Sequence, residues 1–319
     1  MGVIRVQVPG LLTTVQDLGR EGFGPLGVSP SGAADPVALR IGNRLVGNAE
    51  GAAGLEMTLL GGRFVFWEDA VFALTGSDFG ATLDSAPVLV WTLHQAKPRQ
   101  TLRVGPTGSG ARCYLCVQGG IAVKDFLGSA STHLLSGLGG HGGRALREGD
   151  ILQIGPAKGR FRNRTLAGTA WERLAPRKVL RVTPGPQSDW FSESTQKIFY
   201  ESTYRVAEEA NRMGLRLKGT ALPEGAHGEM ISEGVSLGAV QIPEGGLPII
   251  LFVEQQTTGG YPKIANVISA DFHSLGQLRQ RDEIRFEQVE WETARALLAE
   301  QEKLLRSEEL LFEWSAEQR

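Results

Sequence analysis

Apolar positions along this chain fall in short runs, either continuous or alternating with polar residues. Examples are Arg63-Phe64-Val65-Phe66-Trp67, Ala70-Val71-Phe72-Ala73-Leu74, Val88-Leu89-Val90-Trp91, Leu102-Arg103-Val104 and Tyr114-Leu115-Cys116-Val117. Asp150-Ile151-Leu152-Gln153-Ile154, Val179-Leu180-Arg181-Val182 and Pro248-Ile249-Ile250-Leu251-Phe252-Val253 continue the pattern. The 42 glycines and 15 prolines are spread between these runs and are not gathered into one linker. Many short strands separated by turn residues predict a sandwich or a barrel.

Helical periodicity is confined to three places. Asp35 is a good N-cap, and Pro36 suits the first helical position because its missing N–H is not needed there. Val37, Ile41 and Leu45 then share one face, and Gly47 can close the helix in a left-handed conformation. A second, shorter helix is expected from about Ser192 to Ser202, and a third from Trp291 to Phe312, striped by Trp291, Ala294, Leu298 and Leu305. Residues 155–178 carry Lys158, Arg160, Arg162, Arg164 and a closing Pro176 with little periodicity, and read as a linker. The expected organisation is therefore an N-terminal β domain over residues 1–160, a C-terminal β domain over 178–290 and a helix over 291–319.

Composition removes whole classes of function. Thirty-three basic residues face 35 acidic ones, a net charge of -2, so no electrostatic footprint for nucleic acid or an anionic membrane is present. No apolar run of about 18 residues occurs, so no membrane span is read. The opening Met1-Gly2-Val3-Ile4-Arg5-Val6 lacks the basic and long apolar regions of a signal peptide, and a cytoplasmic location is expected. Cys113 and Cys116 lie three apart on a predicted strand and so point to opposite faces, which suits buried thiols and not a shared metal or disulfide. The five histidines, 94, 133, 141, 227 and 273, show no ligand spacing, so no metal site is expected. The Gly-rich stretch Leu135 to Gly143 reads as a mobile loop.

Three segments concentrate functional side chains. The first runs from Leu12 to Gly24 and on through Ser29 to Asp35. The second joins Pro184–Phe191 to Asn211–Leu217, and the third spans Ile231–Gly234, Gly238–Pro243 and Gln255–Pro262. Gly259-Gly260 permits close approach of backbone N–H groups to a ligand, and Gln256, Thr257 and Thr258 add neutral hydrogen-bonding groups. Arg212 has two readings: a bidentate clamp for a carboxylate or phosphate, or the partner of a carboxylate at the rim of the core. Glu56 likewise suits acid–base or magnesium chemistry, or a cap. Neither a Walker A phosphate loop nor a G-x-S-x-G nucleophile elbow occurs.

These segments resemble the C-subunit family of the 5-oxoprolinases, also called the KipA or allophanate hydrolase subunit 2 family, whose domain recurs in the carboxyltransferase region of urea carboxylase. The resemblance rests on T-T-V-Q-D-L-G-R-E-G from Thr13, S-P-S-G-A-A-D-P from Ser29, N-R-L-V-G-N from Asn43 and A-A-G-L-E-M-T from Ala52. A-L-T-G-S-D from Ala73, G-P-Q-S-D-W-F from Gly185, R-M-G-L-R-L from Arg212, S-E-G from Ser232 and Q-T-T-G-G-Y-P from Gln256 extend it. It departs from the family pattern at Ala210-Asn211, at Glu254 and at Gln280-Arg281-Asp282.

The resemblance implies a mainly β chain of two cyclophilin-like β-barrel domains, with a few short helices and a C-terminal helix. It implies one component of an ATP-dependent amidohydrolase that works with a KipI-like partner and a LamB/YcsF-like partner to open 5-oxo-L-proline to L-glutamate. ATP with Mg would act at the complex, not necessarily on this chain. Candidate catalytic residues are Arg20, Glu56, Arg212 and Glu233. Candidate substrate contacts are Gln16, Asp17, Ser31, Gln241, Gln256, Thr257, Thr258, Gly259, Gly260 and Tyr261, around a small amide or lactam, with Arg212 and the 256–262 loop facing one cleft. Two other readings follow in order. One is the carboxyltransferase half of a biotin-dependent urea carboxylase system, for which this chain has no Met-Lys-Met biotinylation sequence. The other is a KipA-type regulator that binds a KipI-like kinase inhibitor.

Overall fold

The computed structural model describes residues 2–157, 162–223 and 230–314. The chain forms two compact units: Met1–Arg20, Ser31–Ala175 and Lys303–Arg319 make the first, Glu21–Pro30 and Pro176–Glu302 the second. The division differs from the expected boundaries at residues 21–30 and at the C-terminal helix, which both units share.

The first unit is built from two antiparallel sheets. In one, strands Val3–Val8, Arg63–Phe66, Thr101–Arg103 and Ile151–Ile154 form the centre of a seven-stranded sheet. In the other, Leu12–Gln16, Gly54–Thr58, Arg112–Val117, Ala70–Gly76 and Leu93–Ala96 lie in that order. The two inner faces share one core of Ile4, Val6, Phe64, Phe66, Phe72, Leu74, Met57, Leu115 and Leu152. Alternation on Arg112–Val117 sends Cys113, Leu115 and Val117 into that core, and Tyr114 and Cys116 into a second one. The second core is roofed by helix Pro36–Leu45, through Val37, Ala38, Ile41 and Leu45. That helix begins as its sequence predicts, with the Asp35 carboxylate accepting a hydrogen bond from Ala38 N at 2.8 Å.

Residues 155–178 are not the plain linker their sequence suggests. Residues 158–161, which hold Lys158 and Arg160, lie outside the described residues. Beyond them come a strand, Arg164–Leu166, and a helix, Gly168–Leu174. Leu166, Ala170 and Leu174 are spaced four apart and bury against the second core, which a short basic segment conceals from a periodicity search. The C-terminal helix ends at Arg306 and not near Phe312. Its apolar stripe stops at Leu305, and Leu311–Glu313 becomes a strand paired with Arg164–Leu166.

The second unit is a closed seven-stranded barrel. Its order is Val179–Pro184, Lys263–Val267, Ala239–Gln241, Ile249–Leu251, Gly214–Lys218, Tyr204–Val206 and Glu283–Gln288, and the last pairs parallel with the first. Closure leaves no free sheet edge among these strands. Helix Glu193–Glu201, near its expected bounds and capped by Ser192, brings Phe199 into a stack on Phe286 with ring centroids 4.5 Å apart. The mainly β fold with few helices agrees with the sequence reading. No helix among the described residues is long and apolar enough to cross a membrane.

Candidate functional site

The predicted residues divide between the two units. In the first unit, Gln16, Asp17, Arg20, Ser31 and Glu56 are all buried. The Asp17 carboxylate accepts from Gly19 N (2.8 Å), Ala130 N (2.7 Å), Ser129 Oγ (2.7 Å) and the Ser131 hydroxyl. Arg20 donates to the carbonyls of Phe126 and Ser131, and its guanidinium lies 5.5 Å from the centre of the Phe126 ring. Ser31, in a left-handed conformation (φ 56°), donates to Thr132 O, as does Gln16 Nε2. Glu56 accepts from Ala34 N at 2.8 Å and Tyr114 OH at 2.6 Å, and so holds the turn that starts the Pro36 helix. Burial and the neighbouring Glu56 push the Tyr114 hydroxyl well above its usual range. These groups are occupied in fastening loops to one another.

In the second unit, the chain after strand Ile249–Leu251 returns as a short ribbon, with Thr258–Gly259 pairing Glu233–Gly234. Glu233 thus lies opposite Gly259 and close to strand Lys263–Val267. Lys263 is buried, its side chain 3% exposed, and its Nζ lies 2.6 Å from Glu233 Oε1. The same oxygen accepts from Gln187 Nε2 at 2.9 Å. The carboxylate of Glu233 is held below its usual range first by the Lys263 ammonium and then by the Gln187 amide. Gln187 in turn receives Lys263 N on its Oε1, and the turn that carries it fits against strand 263–267 because Gly185 has no Cβ. A Cβ there would stand 2.2 Å from Lys263 O.

Gln241 is the barrel neighbour of Lys263. A β-bulge sets Gln241 opposite Lys263 while Val240 stays opposite Ala265, so the ladder skips Ile264. Bulges add local twist and re-aim side chains, and here two polar residues are buried side by side. Gln241 Nε2 has no hydrogen-bond partner among the described residues, and Lys263 has none for its ammonium protons beyond the Glu233 ion pair. A donor buried without a partner costs about 1–3 kcal/mol, so such atoms are few in folded proteins. Gly259 crosses directly over this pair: a Cβ on it would lie 2.7 Å from Gln241 Nε2 and 3.0 Å from Gln256 Nε2. Gln256 and Thr258 are exposed, Tyr261 is 45% exposed, and Thr257 and Gly260 are half-buried, forming a rim.

The structure therefore gathers Glu233, Gln241, Gln256, Gly259 and Gly260, and adds Lys263 and Gln187, which sequence reasoning did not single out. The available signal was a lysine opening a mainly apolar strand, Lys263-Ile264-Ala265-Asn266-Val267, with two residues between it and the Gly-Gly pair. Arg212 takes the second of its two readings in its contacts: its guanidinium is ion-paired with Glu254, and both are buried.

Other features hold no chemistry of this kind. Burial raises both cysteine thiols, neither forms a disulfide, and they face different cores. His133 is buried, with Nδ1 accepting from Ser136 N, and the Gly-rich stretch that follows is tied into turns, Gly143 N donating to Gly139 O. Among the described residues no group of three His, Cys, Asp or Glu side chains is placed to hold a metal ion. An open groove of about 810 Å³ lies in the first unit, lined by Leu83, Pro87, Val88, Leu89, Phe312 and Trp314 among others, and contains none of the candidate residues.

Residues 26–288 match the family described as carboxyltransferase domain, subdomain A and B. The chain is 40% identical over 292 residues to the C subunit of 5-oxoprolinase from Escherichia coli (strain K12), a match that covers 92% of this chain and 93% of that protein. Two crystal structures are similar. That of TTHA0988 has a TM-score of 0.80 at 36% identity and covers 90% of this chain but 56% of the other. That of the K. lactis urea amidolyase has a TM-score of 0.89 at 30% identity, and covers 99% of this chain but only 20% of the larger one.

Proposed function

Because the chain belongs to the carboxyltransferase domain family, subdomains A and B, we propose that it is the C subunit of a 5-oxoprolinase and contributes to opening 5-oxo-L-proline to L-glutamate. One observation carries this reading: the match to the Escherichia coli 5-oxoprolinase component spans nearly the full length of both chains, at 40% identity.

A lactam resists attack because its nitrogen shares electrons with the carbonyl. Opening it requires stabilising negative charge on the ring oxygen and keeping the ring in a fixed orientation. The cluster at Lys263, Gln241 and the Gly259-Gly260 turn supplies fixed groups that can hold the ring in orientation, and we assign substrate contact to it. ATP with Mg would provide phosphoryl activation of the lactam oxygen. This chain's described residues offer it no metal-ligand group, and its sequence has no phosphate loop. Nucleotide would bind at a complex with KipI-like and LamB/YcsF-like partners, not necessarily on this chain, and no step is derived through it.

The test is reconstitution. Co-expression with those two partners should give ATP-dependent glutamate formation from 5-oxo-L-proline, and omission of this chain should abolish it. Full activity without this chain, or none with all three, would remove the proposal. A second reading, transfer of a carboxyl group from biotin, is favoured by the 0.89 TM-score to part of urea amidolyase. It predicts measurable decarboxylation of carboxybiotin by the same complex.

A further inference from the structure

We propose that Lys263 and Gln241 form a carboxylate-binding subsite at the end of the C-terminal barrel, with Glu233 as the internal stand-in that an incoming carboxylate replaces; the inference rests on the function proposed above. Four observations converge. Lys263 is buried, at 3% side-chain exposure, yet its sole ion-pair partner among the described residues is Glu233, which is 44% exposed. Gln241, opposite it across the bulge, has a buried amide nitrogen with nothing to donate to among the described residues. Both groups are held in place: Lys263 by its strand and by Gln187 on its backbone, Gln241 by the barrel ladder. Above them the chain is glycine, and any side chain at 259 would occupy the space beside the free amide.

An ammonium and an amide N–H₂ at adjacent positions are donors only, so the group they accept must bring acceptors. A carboxylate offers two oxygens and a negative charge, and can meet both donors at once. A neutral carbonyl offers one oxygen and leaves the ammonium still relying on Glu233. A small molecule with a carboxylate beside a cyclic amide fits, its carboxylate on Lys263 and Gln241 and its ring towards the Gly259-Gly260 turn and Gln256. Glu233 is free to move into solvent because its only other side-chain tie among the described residues is Gln187. The exchange moves no proton: one carboxylate leaves the ammonium and another takes its place.

The experiment is calorimetric titration of the full chain, alone and co-purified with its KipI-like partner. The probes are 5-oxo-L-proline, acetate, L-glutamate and the neutral lactam 2-pyrrolidinone. The wild-type chain should bind 5-oxo-L-proline at least about tenfold tighter than 2-pyrrolidinone. Lys263→Met should erase that preference. Gln241→Glu, which gives Lys263 a buried partner and repels an incoming anion, should do the same while keeping the melting temperature at or above that of wild type. If Lys263→Met fails to fold, Gln241→Glu decides. Retention of the preference within twofold in folded Gln241→Glu overturns the subsite, as does absence of binding for every carboxylate probe. Lys263-dependent binding of acetate or L-glutamate without 5-oxo-L-proline would uphold the subsite and remove the proposed function.

Discussion

Two polar clusters, one in each unit, differ in how their charged groups are bonded. In the N-terminal unit Asp17 receives four donors and Glu56 receives a backbone N–H and a tyrosine hydroxyl. In the C-terminal unit Lys263 and Gln241 face one half-exposed carboxylate between them, and an amide nitrogen has no partner among the described residues. Saturated carboxylates fix loops, and a ligand would have to break bonds already made to use them. At the barrel end a ligand meets an amide nitrogen with no partner among the described residues and displaces only the half-exposed Glu233 from Lys263. The contrast separates architecture from recognition more sharply than residue type does, since acidic residues in the first cluster carry the more obvious catalytic chemistry.

The comparison can be broken at several points. Arg212→Met leaves Glu254 buried without its counter-charge and should cost about 3–5 kcal/mol of stability, with most of it recovered by the double variant Arg212→Met/Glu254→Gln. Urea unfolding measures both, and a single variant as stable as wild type would make Arg212 a ligand contact again. Asp17→Ala strands four donors and should cost about 3 kcal/mol, lowering the melting temperature, while any protein that stays folded keeps its ligand affinity. Loss of affinity at unchanged stability would make Asp17 a binding residue.

Asp150 provides a pH test of the same architecture. Its bidentate bond from Arg144 and the Arg147 N–H hold its carboxyl down to about 2. A carboxyl lowered in the folded state contributes stability above its ordinary range, and that contribution is lost as pH falls through the folded value. Asp150→Asn should therefore cost about 1 kcal/mol at pH 7 and little near pH 2, as read from melts across that window. The smallest effect on stability belongs to Gly259→Ala. Its new methyl meets the side-chain ends of Gln241, Gln256 and Val235, not backbone, so unfolding should change by under about 1 kcal/mol. Binding of 5-oxo-L-proline should nonetheless weaken about tenfold, and equal binding would place the ligand elsewhere.

Much of this organisation was legible in the chain. The Asp35-Pro36 start and the glycine-punctuated short strands act through local chemistry, and each produced the expected element. The end of the last helix was less legible because Leu311–Glu313 is drawn into a strand by Arg164–Leu166, more than a hundred residues earlier. The helix at Gly168–Leu174 was hidden for a similar reason, its burial depending on residues distant in sequence. At the candidate site the motif Gln-Thr-Thr-Gly-Gly-Tyr-Pro marks the turn that passes over Gln241. It could not reveal Lys263 or the pairing of Arg212 with Glu254, because a lysine beside a loop reads as exposed and an arginine as available until a fold assigns their neighbours.

The most direct test of the unused donors is the shift in melting temperature produced by 5-oxo-L-proline on the wild-type chain and on Gln241→Glu. A ligand that binds only the folded state raises the melting temperature with concentration. Wild type should show such a rise and Gln241→Glu none, with both melting alike or the variant slightly higher when no ligand is present. Equal rises in the two proteins would contradict a subsite built on Lys263 and Gln241.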